Sequence, residues 1–155
     1  MRSVPTAEDW LPDLPGGHLY HDHARRVYFG KGPEEMLTLL ESSVPEAIID
    51  SIGHMPDRPF QYYLLLLADY AVSPGLLADA SSSRRASVAE EFFALVERTV
   101  KIWPDRILPI MPDLLAAIDF IGGHQKKYTQ LRYGELYAKR RRHIYALVQA
   151  AQRSG

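Results

Sequence analysis

Residues 59–72 read PFQYYLLLLADYAV, and the fold turns on how this stretch is taken. Between Phe60 and Val72 only Gln61 and Asp69 are strongly polar, so a helix here is apolar on nearly its whole circumference. That is the pattern of a helix enclosed by others. A buried parallel strand reads similarly over Tyr62–Leu67, but the length and the Leu and Ala content favour helix. The apolar run is far short of the roughly 20 residues needed to span a bilayer, so burial inside protein is the expectation. Pro59 suits a first helical position, and Ser73-Pro74-Gly75 supplies a stop.

Outward from this segment, the chain has the makings of one ordinary domain. Its 155 residues are 46% hydrophobic and 24% charged, and none is cysteine, which excludes a disulfide framework and thiolate zinc sites. The N-terminal MRSVPTAEDWLPDLPGG has no apolar core of a signal peptide, so neither secretion nor a membrane anchor is expected, and a cytoplasmic setting is. The net charge of −1 hides an asymmetry: residues 1–123 carry ten basic and eighteen acidic side chains, residues 124–155 eight basic and one acidic. Either the two parts neutralise each other or a basic face awaits an acidic partner.

Proline and glycine crowd residues 1–33, which predicts an irregular N-terminal arm pinned to the body by Trp10, Leu11, Leu14 and Leu19, with room for a short helical or extended piece near Asp22–Phe29. Pro33-Glu34-Glu35 and Pro45-Glu46 open two short helices that end near Ser42 and Gly53. Residues 80–85, ASSSRR, read as a loop, and Ser87 with Glu90 as the capping box of a helix whose apolar positions are Ala89, Phe92, Phe93, Val96, Val100 and Trp103. Pro104 ends it. Pro109 or Pro112 opens a helix closing at Gly122-Gly123, and the last helix spans about Thr129–Gln152 with Gly134 as a kink or close contact. The fold class is therefore all-α: a compact single-domain bundle of five to seven helices around a central buried helix, with an arm over 1–33 and a helical domain over 34–155.

The order of three features carries a resemblance. His18 to His23, then Tyr28-Phe29-Gly30-Lys31 with Glu34-Glu35, then Met55-Pro56 followed by Phe60-Gln61-Tyr62-Tyr63-Leu64, together resemble a family of small, mostly bacterial helical proteins of unknown function. The likeness covers roughly residues 18–120 and implies an all-helical fold.

Three groups of residues bear on function. His18, His21, Asp22 and His23 offer three imidazoles and a carboxylate, the usual ligands of zinc, nickel or manganese, although their order is not that of the metallo-β-lactamase loop. The bland alternative is a surface histidine cluster. Lys126, Lys127, Arg132, Lys139, Arg140 and Arg142, interleaved with Tyr128, Tyr133, Tyr137 and Tyr145, form a basic face suited to phosphates and to stacking on single-stranded bases. Against that stands a solvated face neutralised by the acidic remainder. Asp69, placed on the most buried helix, needs a cationic partner, for which Arg141 is the candidate. Glu90, Glu91 and Glu97 share one helix and are more simply a cap and ion-pair partners than an acid–base pair. Phosphate-binding loops, nucleophile elbows and H-E-x-x-H are absent.

These readings favour a non-enzymatic, cytoplasmic macromolecule-binding protein without cofactor. An immunity- or antitoxin-like inhibitor of a toxin is the narrower expectation; a nucleic-acid-binding module and a metal-binding protein or metal-dependent enzyme are the rivals.

Overall fold

The computed structural model describes residues 2–11, 19–129 and 136–155. Their regular structure is helical throughout: α1 (Leu19–Tyr28), α2 (Pro33–Ser42), α3 (Pro45–Gly53), α4 (Asp57–Ala71), α5 (Pro74–Asp79), α6 (Ser82–Ile102), the single turn α7 (Pro104–Ile107), α8 (Met111–Gly123) and α9 (Leu136–Ser154). Three 3-10 turns, Glu8–Trp10, Leu108–Ile110 and Gln125–Lys127, complete the set. No strand occurs among the described residues, and the protein is all-α. The short piece allowed near Asp22–Phe29 is the helix α1, and the count exceeds five to seven because residues 74–79, read as a stop, and the turn Pro104–Ile107 are also helical.

Helix α4 is buried as its composition demands. Phe60, Tyr62, Tyr63, Leu64, Leu67, Ala68 and Ala71 are each 2% exposed or less, and at 100° per residue these positions encircle the helix. It starts two residues before Pro59, with Phe60 N–H donating to Pro56 O at 2.8 Å, so Pro59 lies in the first turn, where its missing N–H costs nothing. The chain divides into two compact units, Met1–Leu67 and Ala68–Gly155, with the boundary inside α4.

In the first unit, Trp10 is fully buried and packs edge-on against His21 and Phe29, with Tyr63 tilted against it. Ala24 and Tyr28 bury the inner face of α1; Leu11 and Leu19, expected as anchors, are instead 57% and 75% exposed. The Tyr63 hydroxyl reaches the carbonyls of Tyr28 at 2.5 Å and Lys31 at 3.0 Å, tying α4 to the turn between α1 and α2. Gly30 makes that turn at φ +76°, a conformation L side chains rarely adopt. Glu35 closes the start of α2 by accepting from Gly32 N–H at 3.1 Å.

In the second unit, Ser73 ends one helix and begins another: its hydroxyl accepts from Leu76 N–H at 3.2 Å, capping α5. The expected loop at 80–85 is the start of α6. Ser81, in extended conformation, accepts from Arg84 N–H at 3.2 Å, while Arg85 donates to Ala80 O at 2.5 Å and Lys127 O at 2.8 Å. A cap and an anchored arginine thus nucleate the helix six residues before Ser87. Phe92, Phe93, Val96, Val88 and Ala89 form its buried face; α9 packs on α6 with Tyr137 against Phe93, and Ile144 and Val148 are buried further along α9. Helices α8 and α9 also pack together, and their close approach is at Gly122, where a Cβ would sit 3.0 Å from Arg141 Cδ. Gly134, expected as a kink or close contact, lies outside the described residues.

Candidate functional site

Helix α9 brings one arginine into the interior of the second unit. Arg140 sets Nε and Nη2 at 2.9 and 3.0 Å from the two oxygens of Glu97, and Nη1 at 2.6 Å from Glu90. Its guanidinium also lies 5.4 Å over the Phe93 ring. Burial opposes its charge, but the Glu97 hydrogen bonds and the charges of Glu97 and Glu90 outweigh that and raise its pKa. All three guanidinium nitrogens and both carboxylates are engaged with one another. Arg140 is therefore a structural cation, and Glu90 and Glu97 are ion-pair partners.

Lys126, Lys127, Lys139 and Arg142 are exposed, while Arg132 lies outside the described residues. Of the tyrosines between them, Tyr133 lies outside the described residues and two are withdrawn from the surface. Tyr128 and Tyr137 are buried, donating to Ala71 O at 2.8 Å and Ala86 O at 3.4 Å. Burial pushes both phenols up, Tyr137 to about 12 with help from Glu90 and against Arg140. Tyr145 is spent on Asp119, its hydroxyl 3.0 and 3.1 Å from the carboxylate oxygens.

The expected buried pair of Asp69 and Arg141 gives way to the Arg140 network. Asp69 is exposed, on the side of α4 where the otherwise apolar circumference opens, and Arg141 covers Gly122. With three consecutive arginines at 100° intervals, one had to face inward, and it is Arg140 rather than its neighbour.

The described part of the histidine cluster, His21, Asp22 and His23, is dispersed by its helix. His21 is 7% exposed and turns towards Trp10, whereas Asp22 and His23 are exposed; His18 is outside the described residues. Consecutive positions on α1 point 100° apart, so they cannot converge on one ion. Among the described residues no group of three His, Asp or Glu side chains is placed to hold a metal. Instead, both ring nitrogens of His21 are buried without a hydrogen bond, with Asp22 Oδ1 3.7 Å from Nδ1. Nearby, Asp22, Arg25, Arg26 and Phe29 line an open cleft of about 670 Å³.

One surface is invisible when α6 is taken as a continuous apolar face. Trp103, counted among its core positions, is 55% exposed, and Ile102 beside it is 52% exposed. The reason is local: Trp103 precedes a proline, its backbone leaves the helix at φ −136°, ψ 64°, and its side chain is carried off the buried stripe. Trp103 N–H donates to Thr99 O at 2.8 Å and its carbonyl accepts from Arg106 N–H at 3.1 Å, so the corner is held from both sides. Arg98, Lys101 and Asp105 are exposed around it.

No protein family, no curated protein and no solved structure matches the chain. No helix among the described residues is long and apolar enough to cross a membrane.

Proposed function

We propose that this is a non-enzymatic binding protein whose ligand is another protein, engaged through the Ile102–Trp103 corner. The observation that carries the reading is the exposure of a tryptophan and an isoleucine side by side on a backbone fixed by two hydrogen bonds and Pro104. Half in water, each forgoes part of the roughly 1.5–3 kcal/mol that full burial gives, which a partner covering them would recover. Trp is among the residues most enriched in binding hot spots, which lie in apolar spots with polar rims. A corner held rigid before binding loses little entropy on docking. Against catalysis stands the fate of Glu90 and Glu97, whose carboxylates are both committed to Arg140.

Within this class, an immunity- or antitoxin-like inhibitor of cytoplasmic location is the narrower proposal, by analogy of size and architecture alone. Immobilised wild-type protein is expected to retain a near-stoichiometric protein from native lysate, and Ile102→Ala/Trp103→Ala to lose it with helicity intact. Retention of the same protein by the double variant, or of none by the wild type, contradicts the reading.

A further inference from the structure

The second unit holds thirteen basic and nine acidic side chains, and α9 contributes basic residues without a single Asp or Glu over its length. Once Arg140 is turned inward and Arg141 lies on Gly122, what stays outside is an orderly stripe. Lys139, Arg142, His143, Ala146, Gln149, Ala150 and Arg153 are all exposed, at i, i+3, i+4, i+7, i+10, i+11 and i+14. These positions fall within about 120° of the helix circumference. From Lys139 to Arg153 the stripe is roughly 21 Å long at 1.5 Å per residue. Its middle is alanine, which lets an opposing surface approach the helix backbone. At the N-terminal end, Gln125 Oε1 accepts from Tyr137 N–H at 2.8 Å, which fixes the turn carrying exposed Lys126 and Lys127 beside the start of α9.

We infer that this outer face of α9 is a docking surface for the phosphate backbone of duplex DNA. Cations recur along the stripe with no carboxylate among them, as a polyanion requires, and the helix width of about 10–12 Å matches the major groove. Among the neighbouring acids, Glu90 and Glu97 are paired with Arg140. Single strands are held largely by stacking on aromatic side chains, and here Tyr128 and Tyr137 are buried, which favours the duplex as ligand. Interactions of this kind are with phosphate and carry no sequence preference.

The test is fluorescence anisotropy with a labelled mixed-sequence duplex of about three helical turns, titrated with sodium chloride. Wild-type protein is expected to bind at low salt, with affinity falling linearly in log[salt]. Each phosphate that is no longer neutralised lowers the slope by about 0.9, so Lys139→Ala/Arg142→Ala/Arg153→Ala is expected to reduce it by about 2–3 and the affinity more than tenfold. Alanine at exposed helix positions preserves helicity, and the control Arg2→Ala/Arg26→Ala/Arg58→Ala removes the same charge elsewhere and is expected to leave the slope in place. Absence of low-salt binding, an unchanged slope in the α9 variant, or an equal loss in the control overturns the inference. So does tighter binding to the single strand, or equal binding to anionic phospholipid vesicles.

Discussion

Arg140 shows how a single side chain decides what a surface can do. Its most exposed partner is also its nearest: Glu90, at 2.6 Å, has half its side chain in water, whereas Glu97, at 2.9 and 3.0 Å, is 22% exposed and bound through two parallel hydrogen bonds. Solvent screening weakens the first interaction and spares the second, so the paired geometry with Glu97 is the stronger of the two. Arg140→Ala is expected to cost about 2 kcal/mol in urea unfolding, because it removes a charged hydrogen-bond network. In double-mutant cycles the coupling to Glu97 should be about 1–2 kcal/mol and that to Glu90 below about 1 kcal/mol. Three consecutive arginines on a helix require one to turn inward, and that much is legible in the sequence. Which one is not, because a shift of one position is decided by the register of α9 against α6, which only packing fixes.

At the scale of elements, Ser81 and Trp103 mark the two ends of α6, and both depart from the sequence pattern for the same reason. Helix interiors are written in their periodicity, whereas helix ends are set by one hydrogen bond or one backbone angle. Ser87 with Glu90 satisfies the capping-box spacing, yet Ser81 supplies the cap, since its oxygen meets Arg84 N–H and Arg85 anchors the turn behind it. Ser81→Ala should therefore destabilise the second unit by about 1 kcal/mol, read as a shift of its unfolding midpoint without change in slope. The apolar stripe of α4 and the buried faces of α6, α8 and α9 are legible because period and burial agree there. His21, Asp22 and His23 are legible as residues but not as a site: they are adjacent in the sequence, and a helix spreads them.

For the whole molecule, an all-α architecture follows from composition, breakers and the enclosed segment at residues 59–72. The division into two compact units does not, because the boundary falls within an unbroken helix that no linker announces. Each unit buries tyrosines, and this has a consequence for alkaline stability. Burial raises the pKa of Tyr28, Tyr62, Tyr63, Tyr128 and Tyr137, the last to about 12. Since the neutral phenol is the buried form and its unfolded value is about 10, their contribution is complete below pH 10 and is lost as pH rises toward 12. Stability against urea should be level in this respect below about pH 9 and fall steeply above pH 10, with phenolate absorbance of the buried tyrosines appearing together with unfolding. The proposed function rests on the contrast between the two tryptophans, one fully buried and one at the α6–α7 corner. The most direct test is iodide quenching of the Trp10→Phe variant, whose emission reports Trp103 alone, before and after saturation with the protein it captures. Free quenching of the isolated protein and strong shielding in the complex are predicted; emission already shielded when alone, or quenched equally in the complex, would contradict the role assigned to Trp103.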